Sequence, residues 1–149
     1  MDRIDIPRRG FVLVCDGARA MILQNEGDTE LVNLKLVDAF NQDDPMSHTL
    51  GTDRPGRVHQ SHGAARSAVE IVDLHDEAET AFLKRILGEL EGVLRERQGR
   101  YLAVVAPPRA LGVLRENYPT QLRHLVKHEL PKDLVQLPIS QIERHLAGG

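Results

Sequence analysis

The chain has 149 residues, which suits one domain of ordinary size, and a net charge of −3, which excludes a uniformly basic nucleic-acid-binding protein. Aromatic residues make up only 3% and tryptophan is absent, which argues against a surface that stacks the bases of single strands. The charge is uneven: residues 24–53 contain seven acids and one base, whereas residues 95–128 contain seven bases and two acids. The second segment could form a locally positive face, or its bases could simply lie on solvated helix faces.

The cellular compartment is predicted from the cysteine count and the N-terminal segment. Cys15 is the only cysteine, so no disulfide can form within the chain, as suits a reducing compartment. Residues 1–10, predicted as an N-terminal arm, are rich in charge and lack the apolar stretch of a secretory signal. No apolar run approaches the length of a membrane span. We therefore expect a single domain over residues 1–149, cytoplasmic and not inserted in a membrane.

Three short apolar stretches separated by turn residues open the chain. They cover residues 11–15, 18–23 and 31–37. Asp16-Gly17 follows the first stretch and is a strong turn dipeptide. Alternation in the third stretch places Asn33 and Lys35 on an exposed face. The pattern predicts an antiparallel meander of three strands.

One long helix and one buried strand follow. A helix is predicted over residues 76–97, because its apolar side chains recur at helical spacing. Asp76 and Glu79 resemble a capping box at its start, and Gly99 is placed to stop it. Residues 101–106 form a nearly continuous apolar run, which is typical of a central strand. Residues 68–72 are predicted to be a short extended piece.

In the last fifty residues, prolines separate short segments whose apolar side chains indicate helices or strands. Pro107-Pro108 ends the strand and can start a helix that stops before Pro119. The other predicted elements are a helix over 119–130, a short strand over 133–137 and a helix over 140–146 opened by Ser140 and Glu143. The whole order predicts an α/β (α+β-like) fold, in which a mixed sheet starts with the meander and carries helices on both faces.

Residues 40–66 show no hydrophobic period and are predicted to be a long loop, of a length that is usually functional or disordered. Arginine forks bind phosphate, and glycines let a backbone approach it closely. Pro55-Gly56 suits a type II turn. The loop is therefore either an anion-binding site or a self-contained turn in which Asp53 pairs with an arginine. Its candidate side chains are Asp53, Arg54, Arg57, His59, His62 and Arg66.

Two histidine pairs have spacings that zinc sites use, His59-x-x-His62 in the loop and His124-x-x-x-His128 on the predicted helix 119–130. Neither has a recognisable third ligand, so surface histidines are the favoured interpretation. Cys15 is expected to be a small core residue.

The predicted helix 119–130 also carries Arg123 and Lys127 one turn apart. They could contact an RNA backbone, although a solvated face is the favoured interpretation.

Four segments of the chain resemble the bacterial host attachment protein family, over residues 11–146. They are residues 11–20 (FVLVCDGARA), 52–57 (TDRPGR), 104–115 (VVAPPRALGVLR) and 129–134 (ELPKDL). The family's name refers to attachment to a host and does not state a biochemical activity.

That family is similar, more remotely, to the middle domain of archaeo-eukaryotic peptide-chain release factors, which implies a ribonuclease-H-like sheet. In that domain, a loop ahead of a long helix carries Gly-Gly-Gln into the peptidyl-transferase centre. The matching residues 56–66 (GRVHQSHGAAR) contain Gln60 without a preceding Gly-Gly. The resemblance therefore implies RNA or ribosome binding rather than peptidyl-tRNA hydrolysis. The ligand-binding candidates are Arg54, Gly56, Arg57, His59, Gln60, His62 and Arg66, and structural roles are assigned to Asp16, Gly17, Asp53 and Pro55.

Three functional hypotheses result. The first is a non-catalytic, release-factor-like module whose loop contacts RNA or the ribosome. The second is a hydrolase that uses Asp53, His59 and His62 as acid–base groups. The third is a protein-interaction factor in bacterial attachment. No cofactor and no metal is expected, and the oligomeric state is left open.

Overall fold

A computed structural model describes residues 3–43 and 68–148, with side chains described from residue 74 onward in the second segment. Within these residues the strands are β1 (Phe11–Cys15), β2 (Arg19–Asn25), β3 (Leu34–Asn41), β4 (Leu102–Val105) and β5 (Val126–Leu130). The helices are α1 (Ala68–Glu96), α2 (Pro108–Asn117), α3 (Thr120–Leu125) and α4 (Ile139–Leu146).

The strands form one mixed sheet in the order β3-β2-β1-β4-β5. β1 pairs antiparallel with β2, and β2 with β3, so the predicted meander is confirmed. β4 adds to β1 in parallel, with Phe11 opposite Leu102, and β5 adds to β4 in parallel. Every residue of β1 and β4 is buried, as expected of central strands covered on both faces.

Helices cover both faces of the sheet, as predicted. Phe11, Leu13 and Cys15 of β1 pack in one core with α1, α2 and α3. The alternate residues Val12 and Val14 pack in a second core with α4 and the arm. The period of two along β1 therefore divides its side chains between the two cores.

The N-terminal arm is part of the fold. Ile6 is fully buried in the second core and Ile4 is nearly so. The Ile4 amide donates to the carbonyl of Leu146 at the end of α4, at 2.8 Å. The arm thus joins α4 in covering the second face of the sheet.

Helix α1 starts at Ala68, eight residues before the predicted start at residue 76. The extended piece predicted for residues 68–72 was wrong, and Asp76 lies inside the helix rather than at its cap. Once the apolar stripe that includes Leu83, Ile86 and Leu90 fixes the helix, each further turn adds hydrogen bonds at little cost. That continuation outweighs the β-branched residues of segment 68–72, whose strand preference is weak.

Strand β3 lies later in the chain than predicted, at Leu34–Asn41 rather than 31–37. The Asn25 side chain is the cause, because its Oδ1 accepts from the amides of Gly27 (2.8 Å) and Asn33 (2.9 Å). The segment between them becomes a closed turn in which Leu31 is 78% exposed. The predicted loop at 40–66 accordingly overlaps the end of β3.

Residues 119–130 were predicted as one helix, which was wrong: α3 ends at Leu125 and the chain continues as β5. The open edge of β4 provides backbone partners for residues 126–130, and sheet pairing outweighs the helical spacing. The strand predicted over 133–137 is irregular, although Leu134 and Val135 are buried there.

Helix α4 begins at Ile139 with Pro138 at its N-cap, so Ser140 does not cap it. Glu143, the other half of the predicted capping box, has a tertiary role instead. Its Oε2 accepts a hydrogen bond from the Leu34 amide at 2.7 Å. This bond joins α4 to the start of β3.

Candidate anion-binding surface

The loop residues predicted to bind a ligand lie outside the described residues, as do the loop's two structural candidates. They are Asp53, Arg54, Pro55, Gly56, Arg57, His59, Gln60, His62 and Arg66. The described residues do show where the chain leaves the sheet before this segment. The Gln42 side-chain amide donates to the carbonyl of Gly17 at 2.9 Å, beside the end of β1. The segment therefore begins at the edge formed by the carboxyl ends of β1 and β4.

The turn after β1 closes on the side chain of Asp16. Its Oδ1 accepts from the amides of Ala18 and Arg19, both at 2.8 Å. A Cβ on Gly17 would lie 2.7 Å from Cδ of Glu79. The absence of a side chain at Gly17 therefore lets α1 pass close to this turn.

Two of the segments that carry the family resemblance meet at this same edge. Asp16-Gly17 follows β1, Pro107-Pro108 follows β4, and these strands are parallel neighbours. An ion pair between Arg109 and Asp76 joins α2 to α1 there. About eleven residues of α1 precede Glu79, so the helix extends roughly 16 Å beyond the turn at 1.5 Å per residue.

The groups proposed for metal binding or nucleophilic chemistry are not arranged for it among the described residues. His124 lies in α3 and His128 in β5, so the expected pair on one helix face does not exist. The described residues contain no group of three or more side chains that could hold a metal ion. Cys15 is fully buried, and burial, together with nearby Asp16, raises the pKa of its thiol to about 12. That thiol is neutral at ordinary pH and is a core residue, as predicted.

A cleft of about 410 Å³ lies beside the edge strand β5. We call it the β5-edge cleft; its lining residues are Arg115, Tyr118, Arg123, Val126, Lys127, His128 and Glu129. Three elements supply these side chains: the end of α2 with the turn that follows it, α3, and β5. The cleft therefore exists only because the chain leaves its helix at Leu125 and pairs with β4.

Glu129 is held inside the cleft by two donors. Arg115 Nε donates to its Oε1 at 2.7 Å, and the Tyr118 hydroxyl donates to its Oε2 at 2.8 Å. Burial, and then the hydrogen bond to Glu129, raises the pKa of Tyr118, so its hydroxyl stays protonated and keeps donating. The one carboxylate that lines the cleft is thus already paired.

The other cations of the cleft have no carboxylate partner among the described residues, where the salt bridges involve neither Arg123 nor Lys127. The guanidinium of Arg123 lies 6.0 Å from the centroid of the Tyr118 ring. Lys127 Nζ donates to the carbonyl of His124 at 3.1 Å. Both side chains are exposed, so an anion can reach them from solvent.

Charge is separated across the sheet, because β3 and β5 are its opposite edges. The basic side chains Arg115, Arg123 and Lys127 lie at the β5 edge, whereas an acidic group that outnumbers the exposed bases Arg19 and Lys35 lies on or beside β2 and β3. That acidic group comprises Glu26, Asp28, Glu30, Asp38 and Asp43. The uneven charge of the sequence thus becomes an uneven charge of the folded surface.

Sequence reasoning singled out Arg123 and Lys127 but not Arg115, Tyr118 or Glu129. The useful signal was the excess of bases over residues 95–128. The pairing of Glu129 with Arg115 depends on the position of β5, which local patterns did not predict.

The fold and the site define an α/β domain built on a mixed sheet with a basic edge. The chain belongs to a family described as "Protein required for attachment to host cells", whose profile matches residues 11–146. An uncharacterised protein of Rickettsia prowazekii (strain Madrid E) is 32% identical over 92 residues, which are 60% of this chain and 55% of that protein. The chain therefore matches only about half the length of this relative. The family assignment confirms the sequence resemblance, whereas the likeness to release factors and to ribonuclease H stays a prediction.

Among the described residues, no helix is both long enough and apolar enough to cross a lipid bilayer.

Proposed function

We propose that this protein is a non-catalytic binding module that contacts the phosphates of RNA through the β5-edge cleft. The observation that carries the proposal is the pair of exposed cations, Arg123 and Lys127, beside a carboxylate already paired with Arg115 and Tyr118. An arriving phosphate would meet two free positive charges and little competing negative charge. Contacts of this kind give affinity without reading sequence.

The charge separation across the sheet supports the same proposal. A polyanion approaching the domain is repelled from the acidic β2–β3 side and attracted to the β5 edge, which orients it before contact. A net charge of −3 makes this local arrangement decisive, because the domain as a whole does not attract RNA.

The predicted arginines of the loop, Arg54, Arg57 and Arg66, supply a second set of phosphate contacts in this proposal. Their support is the arginine and glycine content of the segment and the remote resemblance to release-factor middle domains. That resemblance points to ribosomal RNA as the partner. Because Gln60 lacks the Gly-Gly that precedes it in release factors, the proposal includes no hydrolysis.

The test is the salt dependence of binding to a labelled single-stranded RNA oligonucleotide, measured by fluorescence anisotropy. Arg123→Ala combined with Lys127→Ala should weaken binding and lower the slope of log K against log salt by about 1.4, at 0.7 for each lost phosphate contact. The matched control is Lys35→Ala with Lys84→Ala, which removes the same charge from two exposed sites outside the cleft. Equal affinities and equal slopes in the two double variants would overturn the proposal.

A third double variant, Arg54→Ala with Arg57→Ala, examines the loop separately. We expect a further fall in affinity and slope relative to wild type. If this variant binds RNA like the control pair, the contacts assigned to the loop are wrong. The contacts of the β5-edge cleft are tested separately by the Arg123 and Lys127 double variant.

The family description favours a second function, that of a protein-interaction factor in attachment to a host cell. An RNA-binding module would affect attachment indirectly, through gene expression. A strain that lacks the protein, complemented with the Arg123→Ala and Lys127→Ala variant, separates the two functions. Full restoration of attachment by a variant unable to bind RNA would favour the interaction factor.

A further inference from the structure

A second cleft of about 510 Å³ lies at the end of the sheet where β1 and β4 begin. We call it the arginine cleft; its lining residues are Pro7, Arg8, Arg9, Gly10, Gln98, Arg100 and Tyr101. It holds three guanidinium groups, all on exposed residues, and no carboxylate lines it. Its volume lies within the range of about 300–1,000 Å³ that small-molecule sites occupy.

Two acids, Asp5 and Asp28, lie near the cleft without lining it. Asp5 is paired with Arg3 at 2.7 Å. Asp28 accepts from the amides of Glu30 and Leu31 in its own turn. Asp28 keeps its charge and acts on Arg8, so the positive charge of the arginine cleft is partly offset at Arg8.

Two residues of the cleft have a backbone conformation that L side chains rarely adopt. Arg9 has φ = 70° and Gln98 has φ = 58°, and they are the only non-glycine residues with positive φ in the described part of the chain. Such strain persists only where the surroundings hold it, and it concentrates at ligand-binding sites. Both residues with positive φ line this one cleft.

Gln98 occupies a position where glycine is the usual residue. The main-chain amide of Gly99 donates to Leu94 O at 2.7 Å, and the main-chain amide of Gln98 donates to Arg95 O at 3.3 Å. This is the Schellman pattern, and it ends α1. Glycine adopts the required left-handed conformation without strain. Glutamine places a side-chain amide at the cleft that glycine would lack.

The backbone around Arg9 is held in place before any ligand arrives. The Arg9 amide donates to Asn25 O at 2.7 Å, and its carbonyl accepts from Gln24 Nε2 at 3.2 Å. A Cβ on Gly10 would lie 2.9 Å from the Tyr101 ring and 3.0 Å from Pro7 O, so the turn packs closely against the ring. These contacts preorganise the site.

The end of α1 also points here, and its free carbonyls would repel an anion. They are largely satisfied: Leu94 O and Arg95 O accept the bonds just described, and Arg97 O accepts from Arg9 Nη2 at 3.4 Å. These hydrogen bonds reduce the repulsion that the end of α1 would exert on an anion.

We propose that the arginine cleft binds a nucleoside diphosphate, with the phosphates on Arg8, Arg9 and Arg100 and the base against the ring of Tyr101. Three guanidinium groups match the charge of a diphosphate and can bind its oxygens in bidentate fashion. Gln98 supplies an amide for the sugar or base. This site is separate from the proposed RNA contacts, although the Tyr101 ring lies 6.1 Å from that of His128 in the β5-edge cleft.

Isothermal titration calorimetry with ADP, inorganic pyrophosphate and adenosine tests the proposal. Wild type should bind ADP, bind pyrophosphate more weakly and not bind adenosine. Arg8→Ala with Arg100→Ala should weaken ADP binding by more than about tenfold, since each lost charge-assisted hydrogen bond is stronger than a hydrogen bond between neutral groups. Arg123→Ala with Lys127→Ala should leave ADP binding unchanged, which separates this site from the RNA proposal.

Absence of ADP binding by wild type, or equal ADP binding by wild type and the Arg8 and Arg100 double variant, would overturn the proposal. Equal affinity for pyrophosphate and ADP would show that the base does not contact the ring of Tyr101 as proposed. If the double variant loses RNA binding but not ADP binding, the cleft is part of an RNA surface and the proposal is wrong.

Gln98→Gly distinguishes a binding role from a structural one. Glycine removes the strain and the amide together, so thermal stability should rise while ADP binding falls about fivefold, the effect of one hydrogen bond. A rise in stability with unchanged ADP affinity would contradict the role of Gln98.

Discussion

The Cys15 side chain lies at the end of β1 and is fully buried in the core beneath α1 and α2. Burial disfavours the thiolate, and the negative charge of Asp16 adds to this, so the pKa of the thiol rises from 9.0 to about 12. The local chemistry is thus decided by packing, and the group cannot act as a nucleophile near neutral pH.

The raised pKa of Cys15 predicts a loss of stability in alkali. Above pH 9 the unfolded chain ionises this thiol while the folded chain keeps it protonated, so the stability present below pH 9 is lost as the pH rises towards 12. Between pH 8 and pH 10 the free energy of unfolding of the wild type should fall by about 1.4 kcal/mol more than that of Cys15→Ala, which has no thiol. Urea unfolding at the two pH values measures this. Equal losses would mean that the thiol ionises in the folded protein.

At the scale of elements, local patterns predicted what local residues determine. The fully apolar β1 and β4 and the stripe of α1 were predicted correctly, because their side chains repeat with the period of the element that buries them. The end of α3 was not predicted correctly, since Leu122, Leu125 and Val126 fit a helix that continues past Leu125 equally well. Only the open edge of β4, some twenty residues earlier in the chain, decides that β5 begins at Val126.

The candidate site at the β5 edge was predictable from the sequence only in part. The basic character of residues 95–128 was visible in the sequence, and so were Arg123 and Lys127. The pairing of Glu129 with Arg115 and Tyr118 was not visible, because it depends on β5. The loop arginines remain a prediction.

The turn between β2 and β3 sets the position of β3 and gives an element-scale prediction. A Cβ on Gly27 would lie 1.9 Å from the carbonyl oxygen of Leu31, so Gly27→Ala must move backbone and should destabilise the fold by about 2 kcal/mol or more. Gly112→Ala is the matched control, because it lies in α2 with nothing within 4 Å of the added atom. It should stabilise the fold by about 0.5–1 kcal/mol. Similar unfolding midpoints for both variants would refute the account of the turn.

At the scale of the whole molecule, the sheet separates two kinds of surface. Its β3 edge carries acidic side chains such as Asp38, and its β5 edge carries Arg123 and Lys127 without carboxylate partners among the described residues. Since the net charge is only −3, we expect this asymmetry rather than the total charge to direct the approach of RNA in the proposed function. The family assignment is compatible with such a role, because its description names a process and not a chemistry.

The most direct measurement of RNA binding at the β5 edge is an NMR titration of the ¹⁵N-labelled protein with single-stranded RNA. Amide shifts are expected in α3 and β5 and at Arg115, and they should disappear when Arg123 and Lys127 are replaced together by alanine. The amides of β3 and α4 should not move. Shifts confined to β3 or α4, or no shifts at low salt, would contradict the proposed function.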